Sequence, residues 1–462
     1  MIFTPTGRPR IFSNGRVGWN RIGVTSLIAV SALVVLSACG NSSPVAEKTL
    51  ASGASCTAYS AYKTLTGKSV TMFTSILDPE LSYLKKSWAD FETCTGITIN
   101  IEGSNQFEAL LPVRVKGGNA PDIAVIPQPG LLAAMAATGK MVPASTAVLD
   151  NVTKYWSASW KALGSVNGTF YAAPMSANMK SLVWYSPKQF KKNGYTIPTT
   201  WTQMTDLANK MAANGQIAFC GGIGSGGATG WPATDWLEEV VVRMYGATVY
   251  NDWISHKVKF SDPKIIAAMK FVAGWMQNPK WVGNVASIAT TTFQQAGLSI
   301  PTDTGCQMLQ QASFYGAQFP AGTKIGPNGE VSAFYLPGIN SAITTPIEGG
   351  GEFLAAFSSR AEVSEVLAYL SSSEWATSRV KVAKGWVSAN NGVPLTTYKD
   401  PIDLLSATYL ADPKSTFVFD ASDAMPAAVG AGSEWTQLTA WFAEGKSIQA
   451  VATAIDASWP AK

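Results

Sequence analysis

Residues 107–126 read FEALLPVRVKGGNAPDIAVI. Phe107–Lys116 has helical spacing, Gly117-Gly118 stops it, and Asp122–Ile126 is a continuous apolar run of the kind found in a buried parallel strand. The same alternation flanks this stretch. Upstream, Lys68–Leu77 (KSVTMFTSIL) is β-rich. Pro79 then opens a helical pattern with Leu81, Leu84, Trp88 and Phe91 three and four apart, and Ile97–Ile101 (ITINI) is a second strand. Downstream, Leu131–Thr138 is the next helix. Strands alternating with helices in this way predict a doubly wound α/β domain.

The pattern then restarts. Ser181–Tyr185 (SLVWY) reads as a strand, and Thr200 as the N-cap of a helix stopped by Asn214-Gly215. Gln216–Cys220 (QIAFC) reads as a strand and Asp235–Tyr245 as a helix. Asp262-Pro263 opens a helix over Lys264–Gln277, with Ile265, Met269, Val272 and Met276 on one face. A strand over Gln307–Gln311 precedes a Gly/Pro-rich stretch (316–351). The C-terminal hundred residues read as mainly helical, including Ala361–Ala383 and Glu434–Ala443.

The N-terminus predicts export. Residues 1–21 hold Arg8, Arg10, Arg16 and Arg21 and no acid, and residues 22–38 (IGVTSLIAVSALVVLSA) carry no charge. Leu36-Ser37-Ala38-Cys39 has the look of a bacterial lipobox. Cleavage would discard residues 1–38 as a signal peptide and leave Cys39 as a lipidated N-terminus on the outer face of the cell membrane. A membrane-spanning helix is the competing reading, but the run is at the lower limit of about 20 apolar residues and ends small-small-Cys. Two acyl chains suffice for stable tethering. Residues 39–55, rich in Ser, Ala and Gly, read as a flexible tether. About 400 residues follow, enough for two domains.

Cleavage also removes the apparent basicity. The whole chain has 34 Lys+Arg and 30 Asp+Glu, and losing four arginines leaves 30 of each. A near-neutral chain has no electrostatic footprint for nucleic acid. Of five cysteines, Cys39 goes to lipid. The remaining four, Cys56, Cys94, Cys220 and Cys306, suit two bridges, with three possible connectivities.

Chemistry-bearing motifs are sparse. Gly67-Lys68-Ser69 lacks the upstream glycine of a phosphate loop, where Tyr62 stands instead. Gly221–Gly227 (GGIGSGG) reads as a flexible turn rather than a dinucleotide fingerprint. The single histidine, His256, sits in a strand-like ISHKVKF run and reads as a surface residue. With one histidine and bridged cysteines, triad and histidine-metal chemistry lack raw material. Asp235, Glu238, Glu239 and Glu352 are conceivable paired carboxylates, but the first three cluster at one helix start, where acids suit the macrodipole. No catalytic residue, metal site or cofactor is expected. Trp231-Pro232-Ala233-Thr234-Asp235-Trp236 is more informative. Trp231, among glycines, offers a flat indole for the C–H face of a pyranose, and Asp235 an acceptor for hydroxyls. Trp386 and the Gly349-Gly350-Gly351-Glu352 run are further candidates.

Stretches in order carry a resemblance: Phe107–Ile126, Ala173–Tyr185 (APMSANMKSLVWY), Ile197–Trp201 with the following helix together with Gly230–Arg243 (GWPATDWLEEVVVR), and Gly349–Phe357 (GGGEFLAAF). With them the chain resembles the extracellular solute-binding proteins of ABC transporters, in the maltose-binding-like sugar-binding group and nearest its alpha-glucoside-binding branch. The resemblance covers nearly all of the mature chain. It implies a two-lobe, type II periplasmic-binding-protein-like α/β fold, each lobe a doubly wound sheet, with three crossings and a ligand cleft between the lobes. The implied lobes are 56–176 with 306–348, and 177–305 with 349–462. In that layout the connectivity keeping each bridge local is Cys56–Cys94 and Cys220–Cys306. Positions matching the family's cleft are Ser75, Gln106 and Gln128 after the first three strands, and Asn178 at the first crossing. Trp231, Asp235, Gly350, Gly351, Glu352 and Trp386 would come from the second lobe. Asn178 stands where maltose-binding proteins carry an acid, which favours a shorter or differently linked glucoside over maltodextrin.

The resemblance further implies a monomeric, non-enzymatic receptor. It would deliver a neutral di- or oligosaccharide to two permease subunits driven by a cytoplasmic ATPase. Alternatives are a receptor for a glycerophosphodiester, polyol or peptide on the same fold, or a tethered glycoside hydrolase.

Overall fold

The computed structural model describes Leu50 and residues 55–461. The expected signal peptide, Cys39 and nearly all of the expected tether lie outside the described residues; among the described residues no helix is long and apolar enough to cross a membrane.

The first half forms as the alternation predicts. Strands β1 (Ser69–Thr74), β2 (Thr98–Gly103) and β3 (Ile123–Ile126) run parallel with β1 central. The helix Phe107–Lys116 matches its predicted bounds and buries Phe107, Leu111 and Val115, one residue per turn, against the sheet. The helix opened by Pro79 is broken into Glu80–Ser87 and Ala89–Thr95 at Trp88, which is buried with a non-helical φ of −118°. A small hairpin follows, β4 (Ser165–Val166) and β5 (Thr169–Phe170), then β6 (Ala172–Pro174), β7 (Asn178–Met179) and β8 (Leu182–Tyr185). Later strands are β9 (Met308–Gln310), β10 (Ser332–Tyr335), β11 (Pro346–Gly350), β12 (Phe353–Ala356) and β13 (Thr416–Phe419).

The sheet orders are β2-β1-β3-β12-β6, β10-β8-β9 and β13-β11-β7. The second half is therefore built on two short three-stranded sheets rather than one doubly wound sheet. The expected lobe bounds also need correction. β9 and β10 pair with β8, so the segment 306–348 joins the second half. β12 completes the first sheet by pairing with β3 and β6. Among the described residues three cores form: one gathers residues 70–177 with 353–419, another residues 183–336 with 418–455, and a third packs Leu182 and Trp184 against Leu309, Tyr315, Ala333 and Ile347. Strand partners lie hundreds of residues apart, and local periodicity carries no information about which sheet an isolated apolar run will join.

Two other expectations fail locally. Gln216–Cys220 forms only an isolated bridge, Phe219 with Met308. His256 does not lie in a strand: it follows the helical stretch Trp231–Ile254, which is broken at Gly246 (φ 78°), and has φ 58°, stacked 3.9 Å from Trp459 and bonded to Asp456 at 3.0 Å. The disulfides are Cys56–Cys94 and Cys220–Cys306, closing separations of 38 and 86 residues.

Candidate functional site

The carboxyl ends of β1, β2 and β3 open into a cavity of ≈ 280 Å³, the position at which open α/β sheets take ligands. One wall comes from the loops after those strands, with Ser75, Asp78, Ser104, Asn105 and Gln128, and from Glu80 and Glu108 on the helices that follow. The floor is the crossing Ser176–Lys180 and the turn Gly350–Glu352. The opposite wall holds Trp231, Phe293, Phe314 and Trp435, and Trp386 closes one end.

Trp231 sits where it does because of the residue before it. Gly230 has φ 116°, and a Cβ there would lie 2.4 Å from the Trp435 carbonyl oxygen. Only glycine lets the chain turn that tightly into the helix Trp231–Ile254. The half-buried indole meets Phe293 edge-on at 4.9 Å between centroids and Phe314 at 6.1 Å, giving a continuous aromatic wall. Across the cavity mouth, the Gly227 N–H donates to the Asn105 carbonyl at 2.8 Å.

Eight of the ten anticipated ligand positions line the cavity: Ser75, Gln128, Asn178, Trp231, Gly350, Gly351, Glu352 and Trp386. Two do not. Gln106 is exposed, its side chain lying against the outside of the Gly226–Ala228 turn rather than inside. Asp235 is 1% exposed and lies beneath the floor, its Oδ1 accepting from Lys180 Nζ at 2.6 Å. The helix begins at Trp231, not at Asp235, so Asp235, Glu238 and Glu239 are turned into the interior instead of decorating an exposed first turn. Trp386 and Glu352 also do not belong to the second half: Trp386 packs in the first core, and Glu352 sits on the turn joining β11 to β12. Sequence reasoning missed Lys180, Glu80, Glu108, Asp420, Asp423, Phe293 and Phe314. No local pattern marks them, since they are brought in from six different segments, with only Asp420 and Asp423 sharing one.

Under the floor lies a buried ionic nest. Lys180 Nζ donates to Asp235 and to Asp420, and Glu348 Oε1 is 4.0 Å away. Burial pulls the Lys180 ammonium down, but Asp235, Asp420 and Glu348 outweigh it and hold it well above its usual range. Asp420 is lowered: burial would raise it, and Lys180 overrides that. Glu238 accepts from Tyr250 Oη at 2.8 Å and from the Ala421 and Ser422 N–H groups, anchoring the short helix Ala421–Ala424. The three acids Asp235, Glu348 and Asp420 converge closely enough to suggest a metal, but the Lys180 ammonium bonds two of them and serves as their cation.

Acids outnumber cations here, and burial raises Glu238, Glu348, Asp423 and Glu434 well above the normal carboxylate range. The folded state thus binds more protons than the unfolded chain between about pH 4.3, where free Glu titrates, and alkaline pH, so stability declines as pH rises. Groups with lowered values, such as Asp420, act oppositely, but their contribution is already complete above the free carboxylate range. Urea unfolding of the ligand-free protein is expected to give a higher midpoint at pH 5.5 than at pH 8. An equal or higher midpoint at pH 8 would show that these acids stay ionised in the fold.

An α/β chain whose strand ends and crossings enclose a cavity of rings and carboxylates has the organisation of a two-lobed solute receptor. A family model described as bacterial extracellular solute-binding protein matches residues 77–377, and the chain belongs to that family. It is 33% identical over 397 residues to the osmoprotective compounds-binding protein GgtB of Synechocystis sp., covering 85% of this chain and 93% of that one. It is 31% identical over 411 residues to the alpha-glucosides-binding periplasmic protein AglE of Rhizobium meliloti, covering 86% and 88%. The fold is shared with the bacterial solute receptor AcbH (TM-score 0.71, 19% identity, 84% of this chain and 98% of that one). It is also shared with maltose-bound T. maritima MalE3 (TM-score 0.65, 16% identity, 85% and 98%). These family members and structural neighbours are binding proteins.

Proposed function

We propose that this protein is the substrate-binding component of an ABC importer, lipid-anchored through Cys39, that captures a neutral di- or short oligosaccharide, an alpha-glucoside by preference. The observation that carries the reading is one cavity lined both by the aromatic cluster of Trp231, Phe293 and Phe314 and by the carboxylates of Glu80, Glu108 and Glu352. Flat rings take the C–H faces of a sugar, and carboxylates take its hydroxyls as charge-assisted bonds. A volume of ≈ 280 Å³ lies just below the usual range of small-molecule sites, about 300–1,000 Å³, which favours a short ligand over a long chain. The names of the relatives, one binding alpha-glucosides and one osmoprotective compounds, support a small polyhydroxylated ligand. Ligand contacts on both sides of the cleft favour the closed form by population shift, and the loaded monomer then docks on a pair of permease subunits.

A thermal-shift screen against mono-, di- and trisaccharides tests this. At about 100 times Kd a ligand adds about 2.7 kcal/mol of stability, so a true ligand gives a clear rise in Tm. If no saccharide moves Tm, the proposal fails. Release of reducing ends from a glucoside would instead favour the hydrolase reading.

The acids give the binding a pH dependence. Burial and the neighbouring Glu352 push Glu80 up to about 8, and burial pushes Glu352 up to about 7. Hydroxyl donors favour the ionised acceptor, so binding expels protons and Kd falls as pH rises from 6 to 8.5. Calorimetry at both pH values checks the sign, and an affinity that does not change would remove these two carboxylates from the contact set.

A further inference from the structure

Arg379, on the helix Ser373–Val382, is an unusual residue to leave without assignment. Its side chain is wholly buried, at 0% exposure, and Nε, Nη1 and Nη2 all lack a hydrogen-bond partner among the described residues. It makes no ion pair among those residues either. A desolvated guanidinium with no partner is costly and is rarely kept for stability alone. What it touches is the cavity's end wall: its central carbon lies 4.5 Å from the Trp386 ring centroid, with the Tyr83 ring at 5.9 Å. Trp386 lines the cavity and Arg379 does not, and the guanidinium lies over the indole ring.

The rest of the indole is held as firmly. Trp375 meets it edge-on at 5.8 Å. Its backbone turn is pinned by Asp403, which accepts from the Gly385 N–H at 3.0 and 3.2 Å. Gly385 has φ 80°, and a Cβ there would lie 2.9 Å from the Ala317 nitrogen. The acids around Arg379 are Glu80 from the helix Glu80–Ser87, Asp403 from the helix Pro401–Ala411, and Glu352 from the β11–β12 turn, with the Tyr83 phenol beside Glu80 on the same helix. Two of these, Glu80 and Glu352, open on the cavity.

We propose that Arg379 is a positioning residue of the binding site: its guanidinium clamps the Trp386 indole and sets a positive charge behind the cavity-facing carboxylates of Glu80 and Glu352. It touches no ligand itself. One side chain thus links the two kinds of contact the ligand makes at this end of the cleft, the flat ring and the acid pair. The inference rests on the reading of the cavity as a saccharide site. Burial pulls the Arg379 guanidinium below the usual arginine range, to about 10, with Glu80 and Asp403 opposing, so it stays charged at neutral pH.

The test uses calorimetry of the mature protein with the saccharide giving the largest thermal shift, from pH 6 to 9. Arg379→Met keeps volume and removes charge. It is expected to weaken binding about tenfold at pH 7 and to move the midpoint of the pH dependence upward, because the acids lose their neighbouring cation. Arg379→Lys keeps the charge but not the planar stack. It is expected to hold the midpoint and weaken binding about threefold. If the methionine variant does not fold, the lysine variant carries the test. Wild-type affinity and an unmoved midpoint in Arg379→Met, or wild-type affinity in Arg379→Lys, overturns the proposal, whatever happens to Tm. Absence of saccharide binding by the wild type would instead overturn the function on which it rests.

Discussion

Lys180→Met is expected to cost about 3–5 kcal/mol of unfolding free energy at pH 7.5, the range for removing one partner of a buried ion pair. Lys180 is 4% exposed and holds Asp235 and Asp420 at once, with Glu348 at 4.0 Å. These groups come from four separate pieces of chain: the first crossing, the helix Trp231–Ile254, the segment after β13, and β11. Without the ammonium, the carboxylates face one another in a low-dielectric interior and must take up protons. The loss should therefore be smaller at pH 5.5 than at pH 8. Combining Lys180→Met with Asp420→Asn should restore part of it, since the coupling is then removed from both sides. Urea unfolding at the two pH values measures all of this. A loss under about 1 kcal/mol, independent of pH, would mean that the nest is already neutral without the lysine.

Trp231→Ala is expected to raise Kd about thirtyfold, the 2 kcal/mol or so typical of truncating a central aromatic anchor. The rings of Phe293 and Phe314 pack against the indole and would lose their shared edge as well. Stability should change little, because Trp231 is only half-buried and opens on the cavity. Trp231→Phe should recover much of the affinity by keeping a flat ring. Calorimetry with the best saccharide, alongside a urea titration, separates the two effects. Affinity within twofold of wild type in Trp231→Ala would take this ring out of the site.

Much of the first half was legible because its signals are local. The helix Phe107–Lys116 and the strand ending at Ile126 can be read from spacing, glycines and apolar runs alone. Trp231 stood out as an aromatic between a glycine turn and a proline, a local pattern too. Asp235 carried the same local signal and was misplaced. One helical turn on, Asp235 keeps to nearly the same face of the helix but lies about 6 Å further along its axis, inside the protein, and the group awaiting it, Lys180, is 55 residues back along the chain. Gln106 was one residue off: its neighbour Asn105 lines the cavity, and a one-residue step on a loop changes which side faces the ligand.

By itself, the sequence determined that the described chain alternates strand and helix around β1–β3, that four cysteines suit two bridges, and that a glycine-flanked indole enters a helix. These follow from dihedral preference and burial period, which act over a few residues. Only the tertiary structure decided that Met308–Gln310 and Phe353–Ala356 would enter opposite sheets, that Asp235 would serve a lysine rather than the cavity, and that Arg379 would lie over Trp386. Such outcomes depend on which distant segments share an interior, where one ion's desolvation must be offset by another's charge, and no stretch of neighbouring residues encodes that.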